Sequence, residues 1–511
     1  MELRTAYDVL SAHGLLREVV GKKEWFLDPK KLPSLTFTSV SYDTRSVDGE
    51  TLLFCKGNFH EEYLENIDEK GLPCYVSEVE YSATTKALGL IVNDIHKAMA
   101  LLGAQFYGNP QNELFLIGIT GTKGKTTTAY LTHAILKQHT GNKTALMSSE
   151  QTCLNGIDSF DSALTTPESL DLFRMMREAL DAGMTHLVME VSSQAYKMNR
   201  VYGITFDVGA FLNISPDHIS PVEHPTFEDY FYCKRRLLQN CHAAVINAGL
   251  PQSQLLRETA QRARASVTTF GVDGVHADFQ ASAVTLDGSA FTDNTEKISA
   301  PLGHFHLSIE GDFNYANALA AVAIARVSGV AATETAALHA VEPIVIPGRM
   351  ERFTSADGII AYVDYAHNYI SLKSLIDFVH EYHPLARITV VTGTAGGKAL
   401  DRRQGMAQAA SEGADHLILA PEDSDFEDPH AISVEMAGYV TNPQLDVSII
   451  DDRAEAIRAA FSDARAHADR LNVLLVIGKG DEKWLKVKGK HVPYASDLAI
   501  VKHMVEEEKE E

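Results

Sequence analysis

No stretch of this 511-residue chain comes near the ~20 consecutive apolar residues that span a bilayer. Its opening, MELRTAYDVLSAHG, carries acids and polar groups where a secretory signal needs an apolar run. A cytoplasmic protein without membrane insertion is expected. Cysteine is scarce: five residues, at 55, 74, 153, 233 and 241, odd in number and without a CxxC pair, give no sign of a disulfide framework or a zinc site. Positive charge is also in deficit, since 45 Lys and Arg face 68 Asp and Glu for a formal charge of −23. That balance opposes sequence-independent attraction to nucleic acid or anionic lipid, so no nucleic-acid partner is expected. Local basic sites for an anionic ligand stay open, and the closing VEEEKEE reads as a solvated helix end or tail.

What is present is a globular composition, 45% hydrophobic and 22% charged, which argues against disorder over a length too great for one core. Three α/β domains are expected. Short β-like runs between Leu35 and Asp94 (LTFTSVSYDTR, TLLFC, CYVSEV, LGLIVND) predict a small α/β domain over 1–112, closed by a helical run and the turn GNPQN. From Leu114 a buried strand, LFLIGIT, leads through a glycine loop into a helix with apolar spacing at Ala129, Leu131 and Ile135. Strand candidates THLVMEVSS, DVGAFLNIS and HAAVINAG extend this into a mostly parallel sheet, the central domain over 113–345. Over 346–511, GIIAYVDYA, RITVVTGTAG, DHLILAPED, LDVSIIDD and LNVLLVIGKG alternate with helical patterns and predict a doubly wound, Rossmann-like domain. Ligands on such a sheet sit at the carboxyl ends of its strands, where TAGGK, PEDSD and GKGDE fall.

The stretch GITGTKGKTTTAY, 118–130, resembles a phosphate loop with the wrong glycine count: five residues before Gly124 stands Ile119, and the glycines are at 118 and 121. A strand ending in a glycine loop that opens a helix aims backbone N–H groups and the positive helix end at one point, which attracts phosphate. Lys125 can then reach the β- and γ-phosphates, and the Thr126 hydroxyl can bind Mg²⁺. The competing reading is a glycine turn before an ordinary helix. Glu190 and the pair Asp217 and His218 end two further strands, where a carboxylate is well placed for a hard cation bridging nucleotide phosphates; each alone could equally be structural.

TGTxGKTT, EVSS, NxxxDH (213–218), HPxxxxYxxxK (224–234), GxFNxxN (311–317), PGRME (347–351) and DYAHN (364–368) occur in the order found in the Mur ligases, and the chain resembles that family over essentially its whole length. The resemblance makes the loop, Gly121, Thr122, Lys123, Gly124, Lys125, Thr126 and Thr127, an ATP loop. It implies that Thr126 and Glu190 hold one Mg²⁺, and that His218 and Lys234 serve a second, with Lys234 carrying a CO₂-derived carbamate. Without the family match Lys234 reads as a surface lysine. Asn314 and Asn317 match adenine contacts, and Arg349, Asp364 and His367 match positions that close on the nucleotide, Arg349 facing the transferring phosphoryl group. Lys125, Lys234, His218 and Arg349 are the expected catalytic groups.

The same resemblance assigns Thr44, Arg45, Thr165, Thr166, Ser192 and Arg200 to an acceptor, UDP-N-acetylmuramoyl-L-alanyl-D-glutamate. Arg403, Glu422, Asp423, Asp425, Gly478 and Glu482 are assigned to the incoming amino acid. Members adding diaminopimelate carry DNPR where this chain has Glu422, Asp423, Ser424 and Asp425. An acidic neighbourhood that includes Glu427 and Asp428 favours a side-chain ammonium over a second carboxylate, so L-lysine is expected. Ornithine competes, because one methylene is worth only ~1–3 kcal/mol. The implied chemistry is ATP-driven amide formation through an acyl phosphate, by a monomer. Two other readings are a folylpolyglutamate synthase-like ligase, which lacks the small N-terminal domain, and a non-catalytic nucleotide-binding scaffold.

Overall fold

The computed structural model describes every residue except 22–23, 221–222, 286–287, 296–299, 398–399 and 507–511. Lys398, which ends TAGGK, and most of the acidic tail therefore lie outside the described residues.

The chain builds three large sheets. The first runs in the order Glu24–Phe26, Leu16–Gly21, Leu88–Val92, Cys74–Ser77, Thr51–Phe54, Ser39–Ser41. Its last four strands are parallel, and the two antiparallel edge strands are ones the sequence reading did not anticipate.

The central sheet has eleven strands. Its parallel middle places Phe115–Thr120 between His186–Glu190 and Phe206–Phe211. Ile117, Val188 and Val208 are buried side by side there, each worth ~1.5–3 kcal/mol against exposure, so the core fixes this register rather than the loop beyond it. The consequence is geometric: the carboxyl ends of three neighbouring strands deliver the glycine loop, Glu190 and the segment 213–218 to one place. Gly118 allows the sheet to close at this point, because a Cβ there would lie 2.9 Å from the Phe206 ring. The helix that opens at Lys125 (Lys125–His139) buries Ala129, Ile135 and Leu136 in the same cluster as Ala318, Leu319 and Val322 of the alanine-rich helix Asp312–Val327.

The third sheet runs Glu351–Thr354, Ile360–Asp364, Asn472–Ile477, Arg387–Thr392, His416–Leu419, Asp446–Ile449. The five expected strands are parallel, and Glu351–Thr354 adds an antiparallel edge. A hairpin, Trp484–Val487 with Lys490–Pro493, follows. Among the described residues no helix is long and apolar enough to cross a membrane.

Candidate active site

The odd glycine spacing has a steric reason. Gly124 opens the loop helix at φ +78, and a Cβ on it would meet Asn317 Oδ1 at 2.3 Å, while one on Gly121 would meet Leu212 at 3.0 Å. Two glycines three residues apart therefore let the loop press against neighbours on both sides. Lys125 Nζ curls back to donate to the carbonyls of Gly121 and Thr122 at 3.0 and 3.3 Å. It thus lies across the loop mouth, with burial lowering its pKa against the pull of Glu190.

Beside it, Ser149 links the two expected metal ligands. Its hydroxyl is 3.0 Å from Thr126 Oγ1, and its backbone N–H donates to Glu190 Oε1 at 2.8 Å. Glu190 Oε2 is buried with no hydrogen-bond partner. A buried carboxylate oxygen left over beside a threonine hydroxyl is a hard-cation ligand set, since leaving it unpaired is costly.

Lys234 is not a surface residue. It is 2% exposed, rides on the helix Phe227–Arg235, donates to Gly121 O at 2.8 Å and lies over the Tyr230 ring at 4.8 Å. Burial first, and Lys125 second, push its pKa well below the usual lysine range, and the neutral amine is the form that condenses with CO₂. His218 lies near the same tyrosine, ring to ring at 5.9 Å, with φ +58 and Nδ1 3.2 Å from Glu223.

A cavity of about 350 Å³ opens next to the loop, lined by Lys123, Gly124, Thr127, Asn314, Asn317, Arg349 and Asp364. Phe270, Ile309, Phe313 and Ile370, unforeseen from sequence, complete its walls. An apolar slot with a few amides and one arginine suits a nucleoside. Arg349 bonds Glu150 at 3.0 Å and stacks over Tyr365 at 4.5 Å rather than pairing with Glu351. Asp364 accepts from the Met350 and Ala366 amides, fixing the linker in which Arg349 sits. Burial, and Lys123 3.4 Å away, push the His367 imidazole well below its ordinary range.

Across the cleft, Asp217 is a buried socket for the third domain. Arg402 reaches it at 2.9 Å and the Asn368 amide at 3.1 Å, with Lys123 of the loop at 3.7 Å. Together these cations hold its carboxyl far below the usual range despite burial. Neither Asp217 nor Arg402 was assigned this role from sequence, because the pair is formed across 185 residues.

Among the residues expected to hold the acceptor, Thr166 Oγ1 donates to Glu190 O at 2.9 Å and accepts from the Ser192 amide at 3.0 Å. Ser192 caps the short helix Ser193–Lys197. Arg200 donates to Thr166 O at 3.1 Å and pairs with Glu168 at 2.8 Å. Thr165 is partly buried beside them. Thr44 and Arg45 lie in the turn Thr44–Ser46 of the first domain, where Arg45 is 89% exposed and pairs with Asp43.

Two Mur ligase family models match the chain, one over its middle and one over its later part. The Mur ligase middle domain covers residues 119–325, and the Mur ligase glutamate ligase domain covers 348–480. The chain is 52% identical over 512 residues to the UDP-N-acetylmuramyl-tripeptide synthetase of Bifidobacterium longum, covering 99% of each. It is 46% identical to the UDP-N-acetylmuramoyl-L-alanyl-D-glutamate--L-lysine ligase of Enterococcus faecalis, covering 98% of this chain and 97% of that one. This chain is a Mur ligase. Its fold also resembles a solved UDP-N-acetylmuramoyl-L-alanyl-D-glutamate--2,6-diaminopimelate ligase, with a TM-score of 0.61 at 23% identity over 96% of this chain and 97% of that one. As a family member it is an ATP-dependent ligase.

In the third domain of the ligase the acidic stretch is less bare than its sequence suggests. Asp423 pairs with the buried Lys479 at 2.9 Å, Glu482 pairs with the same lysine, and Asp425 pairs with Lys486 at 2.8 Å. Glu427 is taken by Arg403, which also holds Glu435, and Asp428 caps the helix Pro429–Gly438. Lys479 and Lys486 lie 56 and 61 residues beyond Asp423 and Asp425, so a local count of acids misses them. Glu422 stands apart. Burial, opposed by Arg453 and reinforced by Asp423, pushes its carboxyl up to about 7, and its Oε2 has no hydrogen-bond partner. Gly478, at φ +113, leaves that oxygen its room, since a Cβ would come within 2.8 Å of it.

Proposed function

We propose that this ligase joins L-lysine to the D-glutamyl γ-carboxylate of UDP-N-acetylmuramoyl-L-alanyl-D-glutamate, a step of peptidoglycan precursor synthesis in the cytoplasm, acting as a monomer. What carries the reading is the convergence at one loop of Lys125, the unpartnered Glu190 oxygen and the buried Lys234, whose pKa burial pushes well below the usual lysine range. The full-length match to relatives named for that acceptor and for lysine supports the substrates, and its inclusion of residues 1–112 weighs against a folylpolyglutamate synthase. Retention of Lys125, Glu190, His218 and Lys234 together weighs against a scaffold.

In this reading a γ-carboxylate oxygen of the acceptor attacks the γ-phosphorus of ATP, the bond to the ADP oxygen breaks, and an acyl phosphate forms. The neutral α-amine of lysine then attacks the acyl carbon and loses a proton. Phosphate departs with the C–O electron pair, leaving the amide. Lys125 and Arg349 meet the charge that develops on the phosphoryl oxygens, and the loop amides orient the phosphates. Thr126 and Glu190 fit one Mg²⁺, and His218 with carbamylated Lys234 fits a second; Mg²⁺ there supplies charge neutralisation on the phosphates. Asn314 and Asn317 seat the adenine. Thr44, Arg45, Thr165, Thr166, Ser192 and Arg200 hold the acceptor, and Arg403, Gly478, Glu482 and the acids at 422, 423 and 425 shape the amino-acid pocket. Within that pocket Glu422 is the carboxylate with an oxygen to spare for a side-chain ammonium.

The test is a competition: purified protein, ATP, the muramoyl dipeptide nucleotide, and lysine, ornithine and diaminopimelate together, scored by product mass. The lysine adduct is expected to dominate. Preference for diaminopimelate overturns the amino-acid assignment, and no turnover with any of them overturns the function.

A further inference from the structure

Among the described residues, one set of histidine, cysteine and carboxylate side chains stands close enough to hold a metal ion, and it lies outside the residues assigned above. It consists of His224, Asp229 and Cys233, whose ligand atoms are all within 4.8 Å of one another. Asp229 and Cys233 are four residues apart on the helix Phe227–Arg235 and so share a face. His224 joins them from just before Thr226, the residue that caps that helix. His224 is fully buried and Cys233 is 4% exposed, while Asp229, at 28%, opens the group to solvent. The imidazole is oriented from behind. Its Nε2 lies 2.9 Å from Ser193 Oγ and the Tyr230 ring stands edge-on at 5.3 Å, so that Nδ1 faces Asp229 Oδ2 at 2.7 Å. A ligating histidine is held in this way, by a polar group on its other ring nitrogen. Lys197 bonds the same Asp229 oxygen at 2.8 Å and is the competing cation. It is 35% exposed, so its ammonium can turn to water at little cost.

Ligand type decides the ion. Imidazole nitrogen and thiolate sulfur suit zinc and its neighbours and serve Mg²⁺ poorly. Zinc bonds of about 2.0–2.3 Å at tetrahedral angles set ligand atoms about 3.3–3.8 Å apart, so the His224–Asp229 contact opens slightly and the thiol turns in. The exchange balances: the Zn–S bond replaces the S–H bond and that proton goes to solvent, while the imidazole carries its hydrogen on Nε2, where Ser193 Oγ accepts it. Thiolate and carboxylate together cancel the charge of the dication. A fourth position is left to water on the open side.

We propose that His224, Asp229 and Cys233 form a site for a thiophilic divalent cation of the zinc class, separate from the Mg²⁺ positions proposed at the phosphate loop. The site goes beyond the proposed reaction and does not rest on it, although its helix also carries Lys234. The competing reading is a hydrogen-bonded clamp at the start of the helix, which takes up no metal.

The experiment titrates the full-length protein with Co²⁺ and then Zn²⁺, in excess Mg²⁺ so that sites built from oxygen ligands are already filled. A single equivalent of Co²⁺ should give a near-ultraviolet sulfur-to-metal band, Zn²⁺ should abolish it, and bound Zn²⁺ should raise the melting temperature. Cys233→Ser should lose the band and weaken Zn²⁺ binding by about a hundredfold. Ser193→Ala, which removes only the group that orients His224, should keep the band and weaken binding by about tenfold. Lys197→Met, which removes the competing ammonium, should tighten it. The absence of a band in the wild type leaves the hydrogen-bonded clamp and overturns the site. A band that persists in Cys233→Ser, or equal Zn²⁺ affinity in that variant and the wild type, overturns it as well. Unchanged affinity in Ser193→Ala, or weaker binding in Lys197→Met, overturns the three-ligand set. All of these are read from binding and melting, so none depends on whether the ligase reaction is the one proposed.

Discussion

The phosphate loop and the acidic stretch at 422–428 were both legible as motifs, yet they fared differently once folded. At the loop the chemistry belongs largely to the backbone, and the side chains that matter, Lys125 and Glu190, keep unspent capacity in the folded chain. At the acidic stretch the chemistry was inferred from a count of charges, and the fold supplies partners for four of the five acids. A motif defined by geometry survives folding better than one defined by charge, because distant residues cannot change a strand-loop-helix but can neutralise a carboxylate.

The largest effects that sharpen this contrast belong to the loop. Lys125→Ala should cut acceptor-dependent ADP formation by about a thousandfold while acceptor binding persists, as loss of a preorganised charge stabiliser does; normal turnover would remove the loop from the chemistry. Lys234→Ala should lose about a hundredfold or more and regain part of it with added short-chain carboxylates. A fully active variant with no rescue would exclude the carbamate.

Next in size is the socket between domains. Arg402→Ala and Asp217→Asn should each lower kcat/KM by roughly tenfold to a hundredfold, and the double variant should be little worse than either, the signature of two groups acting as one contact. Additive losses would mean that they act separately.

Smaller effects test the acidic stretch. The folded pKa of Glu422, about 7, lies well above the usual glutamate range, so the folded state holds that proton more tightly than the unfolded one. The resulting contribution is full below the unfolded value and is lost as pH rises through the folded one. Glu422→Gln should therefore gain melting temperature on the wild type by a few degrees between about pH 5 and pH 8, while raising KM for lysine. Parallel melting curves would place Glu422 in contact with solvent or a counter-ion. The least effect is expected of Asp425→Asn: with its carboxylate held by Lys486 and the Gly489 amide, KM for lysine should change by less than about threefold. A tenfold rise would restore the unbalanced-charge reading of the whole stretch.

The unforeseen parts of the site share a cause. Ser149, Lys479, Lys486 and Arg402 carry no local signature, being ordinary polar residues whose roles arise from partners 41, 56, 61 and 185 residues away. The antiparallel strands Leu16–Gly21 and Glu24–Phe26 were missed for a related reason. Their half-exposed residues lack a clear two-residue alternation, and the first depends on pairing with Leu88–Val92 while the second pairs with the first.

By itself the sequence determined the parallel α/β sheets, the strand-loop-helix that receives phosphate, and the family, because hydrophobic periodicity and glycine placement are local properties that folding keeps. Only the tertiary structure decided which charges remain. It buried Lys234 against Gly121 O and so lowered its pKa, left one oxygen of Glu190 and one of Glu422 without partners, and spent Asp423, Asp425 and Glu427 on nearby cations. Free charge depends on neighbours and desolvation, and neither is written in any one segment of the chain.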